Sequence, residues 1–334
     1  MQPQGSRVPL SVLDLAVLAQ GMTSSDALGY TTRLAQHAEE FGYSRFWVAE
    51  HHNMPNIAST NPPVLIAHLA AHTKSILVGS GGVMLPNHPP LVVAEQFALL
   101  EALYPGRIDL GIGRAPGTDP ATAAALRRSP ATLGAEEFPR HLVELMGLLG
   151  DKRMATGMWD RFIATPVPTS SPNIILLGSS DYSAQLAGQL GLPFAFAHHF
   201  DMGGTLMAVD LYRENFQPSA VLSEPYTIVT ASVFAADSLE RAEYLAAPSQ
   251  LATYHLRTGR RFAYATPEQA LAHPDFEAAK RAPSSKIIGS PEMVVEELEQ
   301  LQKATEASEL MLNTFMTDFD DRVHCLELIA KAWF

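Results

Sequence analysis

The chain has one cysteine, Cys325, so it cannot close a disulfide on itself. Charged residues make up only 17% of it, and no run of Lys and Arg forms the basic footprint that nucleic acid requires. The formal charge of −12 argues further against nucleic acids and anionic membrane surfaces as partners. No apolar stretch approaches the roughly 20 residues that span a bilayer. The N-terminal MQPQGSRVPLSVLDLAV lacks the charged start, long apolar core and small-residue cleavage site of a secretion signal. No P-loop lysine motif is present, and no Gly-x-Ser-x-Gly elbow. These absences lead us to expect a soluble cytoplasmic protein. What is abundant is apolar material: 47% of 334 residues, enough core for one large domain or two ordinary ones.

Short apolar runs alternate with longer amphipathic ones. Strands are expected at Val8–Leu13, Arg45–Ala49, Ile76–Gly79, Ile108–Ile112, Asn173–Leu177, Phe194–Ala197, Tyr226–Phe234 and Glu309–Leu312, eight in all. A helical segment follows each one. Leu34, Ala38 and Phe41 mark one helical face that Gly42 ends, and Asn61-Pro62 reads as the N-cap and first residue of another helix. Val323, Leu326, Ile329, Ala330 and Trp333 form a last stripe. Eight β/α repeats point to an α/β fold, a (β/α)8 TIM barrel, with a doubly wound sheet as the competitor. Residues 113–135 and 150–172 read as loops, and 254–286 as an insertion or lid carrying Arg257, Arg260, Arg261, Lys280 and Arg281. The helices at 62–73 and 90–104 are apolar nearly all round, which implies a second buried face and a homodimer interface.

Four stretches fall where the expected strands end, the rim on which barrel active sites are built. They are Glu50-His51-His52-Asn53, Gly79–Gly82, Gly113-Arg114-Ala115-Pro116-Gly117 and Gly178-Ser179-Ser180-Asp181-Tyr182-Ser183. The Gly-Ser-Ser turn before a helix offers N–H groups and hydroxyls to an anion, or plain N-capping by Ser179 or Ser180. Arg114 has the chemistry to clamp a phosphate or to serve in a surface salt bridge. GIGRAPG is a poor dinucleotide fingerprint, because Pro116 stands where the third glycine belongs. His51 and His52 point to opposite faces as strand neighbours, and no Cys cluster or Asp/Glu/His set completes a ligand spacing, so no metal site is expected. One of the two suits proton transfer in the barrel mouth. His198-His199 is a similar pair ending the sixth strand, and Asp14 is placed to bond a ligand or cap a turn.

SVLDLA, RFWVAEHHNMPNIAS, the long stretch from ILVGSGGVMLPNHPP to GIGRAPGTDP, LLGSSDYSAQLAGQLGLPFAFAHHF and IIGSPEMVVEEL together resemble the bacterial-luciferase-like family of flavin-dependent oxidoreductases, in its single-chain monooxygenase branch. The resemblance runs from the first strand to the last helix. It implies one barrel domain over 1–334, usually dimeric, with reduced FMN at its C-terminal mouth. It places Arg114, Ser179, Ser180 and Ser183 at the phosphate, and Gly81-Gly82 at a non-prolyl cis peptide beneath the flavin ring. His51 falls beside the reacting edge as the catalytic residue, with Glu50 and Asp14 among the cofactor-binding candidates. The glycines are expected to leave room for the ring. The implied activity is a two-component monooxygenase that takes reduced FMN from a separate reductase and oxygenates a small hydrophobic or aromatic substrate with O2. Hydride transfer with F420, or a non-catalytic flavin-binding barrel, are the alternatives.

Overall fold

The computed structural model describes residues 7–115, 117–127, 136–153, 156–200, 203–260 and 265–334. Pro116 and parts of the expected loops 113–135, 150–172 and 254–286 therefore lie outside the described residues. Strands β1 (Leu10–Asp14), β2 (Arg45–Val48), β3 (Leu77–Met84), β4 (Ile108–Gly113), β5 (Asn173–Gly178), β6 (Phe194–Phe196) and β7 (Thr227–Ala235) each pair in parallel with the next. After a short β8 (Ile287–Gly289), β9 (Glu309–Asn313) lies between β7 and β1 and closes the ring. The eight expected strands thus form a closed parallel barrel, and the doubly wound alternative falls away.

Local chemistry sets the flanking helices. Helix α1 (Ser24–Glu40) opens on a capping box between Thr23 and Asp26 and stops before Gly42, whose φ of +89° lets the chain turn away. Helix α2 (Pro62–His72) starts from the Asn61 cap, and α3 (Pro90–Leu103) follows β3. Between β4 and β5 come α4 (Pro120–Arg127) and α5 (Phe138–Leu148). Helices α6 (Asp181–Gln189), α7 (Thr205–Glu214) and α8 (Leu239–Arg257) follow β5, β6 and β7. Helix α11 (Pro291–Thr305) precedes β9, and α12 (Phe319–Trp333) buries Leu326, Ile329, Ala330 and Trp333 as its stripe implies. No helix among the described residues is long and apolar enough to cross a membrane.

Three expectations change. Strand β3 does not stop at Gly79 but runs to Met84, with a register shift against β4 between Ser80 and Val83. The ninth strand, β8, pairs with the end of β7 above the barrel; three residues are too few to show an alternation. The insertion is largely helical where it is described: α8 runs into it, followed by α9 (Pro267–Leu271) and α10 (Phe276–Arg281). Ala247, Leu251, Ala270, Phe276 and Ala279 give it a small core of its own.

The two ends of the barrel differ in kind. At the N-terminal end, Arg45 donates through Nη1 to Asp109 Oδ2 and through Nε to Glu309 Oε1, each at 2.8 Å. Both carboxylates have 0% exposure. Trp47 Nε1 and Asn173 Nδ2 donate to Asp109 at 2.8 and 2.9 Å, Tyr226 OH to Glu309 at 2.7 Å, and Ser11 Oγ also to Glu309. Burial alone would loosen the Arg45 proton, but Asp109 and Glu309 hold it more tightly than usual. Above this plug lies an apolar layer that includes Leu13, Trp47, Ile175, Ile228 and Met311. Replacing Arg45 by Met is expected to leave two buried carboxylates uncompensated and to cost about 3–5 kcal/mol, read from urea unfolding midpoints; a loss under about 1 kcal/mol would contradict this account.

Candidate active site

A cavity of about 220 Å³ opens above the apolar layer at the C-terminal ends of the strands. Gly81, Gly82 and His51 border it from β3 and the end of β2; Arg114, Ser179, Ser180 and Ser183 border it from the ends of β4 and β5. His199 adds the end of β6. The strand-end stretches singled out in the sequence therefore do converge on one site.

The Gly81–Gly82 peptide is cis, as the resemblance implies. The reason for glycine there is different from the one expected. A Cβ on Gly81 would stand 2.7 Å from Leu13 Cδ1, and one on Gly82 would stand 2.8 Å from the Gly111 carbonyl oxygen and 2.9 Å from Leu177 Cδ1. The protein's own atoms occupy that space before any ligand arrives: backbone crowds Gly82, while a side chain on Gly81 would have to displace Leu13. Gly79 is crowded in the same way, by Asp109 of the lower plug at 2.5 Å.

The serine turn is open to the cavity. Ser180 is the N-cap residue of α6, yet its hydroxyl makes no capping bond, so plain capping does not account for it. Ser183 is 2% exposed and reaches close to Gly178, where a Cβ would be 2.4 Å from its own. The Arg114 guanidinium lies 4.2 Å from the ring centre of Tyr182, which ties the end of β4 to the start of α6. Among the described residues neither Arg114 nor these serine hydroxyls donate to a protein acceptor, so one cation, three hydroxyls and a helix N-terminus are free to meet an anion.

Two histidines face the cavity, and Nδ1 of each is buried without a partner. Burial presses the His51 imidazole below its ordinary pKa; Glu50 opposes this and His52 adds to it. Burial takes His199 down to about 4, although the Thr230 carbonyl bonded to the ring favours its charged form. Both rings are neutral near pH 7 and fit to accept a proton or a hydrogen bond.

Residues 8–306 match the family profile described as luciferase-like monooxygenase. The chain belongs to the luciferase-like monooxygenase family. It is 43% identical to the luciferase-like monooxygenase of Escherichia coli (strain K12), over 96% of each chain. It is 34% identical to the N-acetyl-S-alkylcysteine monooxygenase of Bacillus subtilis (strain 168), covering 97% of this chain and 98% of that one. The crystal structure of apo-MsnO8 superposes with a TM-score of 0.89 at 35% identity, covering 98% of both chains. Two more distant structures share the fold, each with a TM-score of 0.71. They are the oxygenating component of 3,6-diketocamphane monooxygenase with FMN, at 19% identity over 98% of both chains, and an F420-dependent secondary alcohol dehydrogenase, at 16% over 98% and 99%.

Two residues expected at the cofactor point elsewhere, and strand alternation is the reason. Leu13 and Leu15 face the cavity, so Asp14 between them faces the helices. There its carboxylate accepts from Arg322, from Thr31 Oγ1 at 2.5 Å and from the Ala16 N–H at 3.1 Å. Burial would raise its pKa, but Arg322 and Thr31 bring it below the usual carboxylate value. Likewise Ala49 and His51 face inward, and Glu50 faces away. Glu50 accepts from His52 Nε2 and His88 Nε2, both at 2.8 Å, and from the Met84 N–H at 3.0 Å. Burial pushes its pKa up, yet the bonds from His88 and His52 bring it down. The separate fates of His51 and His52 follow the expected opposition of neighbours. The sequence showed no His/Asp/Glu ligand set, whereas the fold gathers Glu50, His52 and His88 with ligand atoms within 4.8 Å of one another. Only Glu50 and His52 of that cluster are near neighbours in the chain, so His88 gave no signal.

His199 sets a pH dependence. The unfolded chain takes up this proton near 6.5, but the folded chain only near 4. Between those values the unfolded state binds more protons, so stability falls as pH drops through the window. His199→Gln is expected to remove that part of the slope. Urea midpoints of the two proteins at pH 7 and pH 5 should shift relative to each other in favour of the variant at pH 5; parallel curves would contradict the depressed value.

Proposed function

We propose that the chain is an FMN-dependent monooxygenase, which takes reduced FMN from a separate reductase and uses O2 to oxygenate a small, largely apolar organic substrate. The observation that carries this reading is the convergence of Arg114, Ser179, Ser180, Ser183 and the uncapped start of α6 beside an apolar floor. The phosphate of FMN fits the donors, and a flat ring fits the floor of Leu13, Trp47 and Met311. FMN, when bound and reduced, supplies the activation of O2. The chain's own residues bind, orient and control protons. The serine turn and Arg114 hold the phosphate, while the apolar floor keeps water from the ring. His51, neutral near pH 7 and with Nδ1 unpartnered, takes or returns a proton at the reacting edge. The poor dinucleotide fingerprint at GIGRAPG supports a separate source of reducing equivalents. The Bacillus relative's name extends the candidate substrates to thioethers of N-acetylcysteine.

The homodimer belongs to the same proposal. Val64, Val92, Leu99 and Leu103 are 68, 43, 50 and 57% exposed on α2 and α3, an apolar face that a second copy would cover.

Arg114→Ala is expected to weaken FMN binding about tenfold or more, measured by quenching of flavin fluorescence. His51→Ala should leave FMN affinity within about twofold and slow substrate-dependent O2 uptake about a hundredfold. Unchanged FMN affinity in the Arg114 variant would remove that residue from the phosphate site. Sedimentation should give a dimer that the double change Val64→Asp and Leu103→Asp turns into a folded monomer; a wild-type monomer would refute the interface.

A further inference from the structure

Next to His198 lies a second concavity, of about 800 Å³, bordered by residues 283–287 and by the face of α11 that carries Met293, Glu297 and Leu301. Lys286 belongs to this border, and its ammonium is partly buried. Nζ donates to Thr253 Oγ1 at 2.8 Å, and the Thr253 hydroxyl in turn donates to the Ser249 carbonyl at 2.8 Å. That accounts for one of three N–H groups. No carboxylate pairs with Lys286 among the described residues; Glu296 and Glu297 border the same concavity without forming an ion pair with it. The charge that acts on it is another cation, Arg257, whose Nη1 donates to the Pro283 carbonyl at 2.5 Å. His198 borders this concavity, and the next residue, His199, borders the inner cavity. Burial, with Arg257 adding to it, lowers the ammonium to about 8, so it is still mostly protonated at pH 7.

A partly buried cation with unused donors and a cationic neighbour lacks its counter-ion. We infer that Lys286 anchors the carboxylate of the substrate, whose reacting end lies in the inner cavity between His51 and His199. The location of the reacting end rests on the monooxygenase reading; the anion site does not. Ser284 and Ser285 fix the backbone that carries this side chain, through the Lys286 backbone N–H donating to Ser284 Oγ at 3.1 Å and Ser285 Oγ donating to the His198 carbonyl at 3.2 Å. The substrate class is therefore a small monocarboxylate with an apolar tail. The carboxylate tail of a deazaflavin cofactor is the other source of the same chemistry.

The full-length protein, with and without FMN, is titrated calorimetrically with N-acetylmethionine, phenylacetate and hexanoate, each against its uncharged methyl ester. At least one acid is expected to bind about tenfold tighter than its ester. Lys286→Met should bring that ratio to within about twofold, Lys286→Arg should keep most of it, and both variants should bind FMN like the wild type. Three acids that bind no better than their esters, or a ratio that survives Lys286→Met while F420 affinity is also unchanged, would overturn the anion site. Failure to bind FMN with the acid preference intact would sink the monooxygenase reading alone. A Lys286→Met variant that loses F420 affinity while its acid preference persists would assign the anion to the cofactor and overturn the substrate assignment.

Discussion

Asp109 and Glu309 reach the lower end of the barrel from β4 and β9, and the guanidinium of Arg45 on β2 bonds to both. Strands far apart in the chain are thereby fixed at one level. The constraint is geometric as well as electrostatic: a planar, five-donor group between two carboxylates tolerates little sliding of one strand past another. A parallel strand slipped by one residue would turn its inward side chains outward. Each residue at the upper rim inherits its direction from this register. That is how Leu13 and His51 come to border the cavity while Asp14 and Glu50 bond to the layer behind it.

The outward-facing set matters to the site without touching it. Glu50 collects His52, His88 and the Met84 N–H, joining the end of β2 to the end of β3 and the turn before α3. Asp14 joins the end of β1 to α1 through Thr31 and to α12 through Arg322. The cavity wall is held from behind. Its inner surface presents Arg114, the serine turn, and His51 and His199 with their Nδ1 atoms unpartnered.

Much of this was legible in the sequence, for physical reasons that also mark where it stopped. Eight apolar runs with helices between them sufficed for the barrel, because a buried parallel strand leaves a continuous apolar signature. Gly79, Gly81 and Gly82 read as the end of a strand, since glycine ordinarily weakens one; here the Asp109 and Gly111 main chains crowd Gly79 and Gly82 and call for glycine within β3. Strand β8 is too short to carry a pattern, and α9 and α10 bury Ala270, Phe276 and Ala279 against Ala247 and Leu251 of α8. That His51, Arg114 and the serines would lie at strand ends around one cavity was legible, because strand ends are few and the residues at them unusual. Asp14 and Glu50 were misplaced although their parity was available: each stands between two residues that face inward. What no local reading could supply is convergence across long separations, such as His88 beside Glu50, or Lys286 and His198 on one concavity.

Strand β7 is nine residues long, and its last three, Val233–Ala235, pair with β8. The excursion of α8, α9 and α10 leaves from one rail of this two-stranded ladder and returns along the other. A cover mounted in that way can be exchanged for one of different length or chemistry without disturbing the ring beneath it, because both attachment points are fixed by main-chain pairing. The excursion can thus differ in length or composition while the apolar floor of the inner cavity, with Leu13, Trp47 and Met311 on β1, β2 and β9, stays as it is.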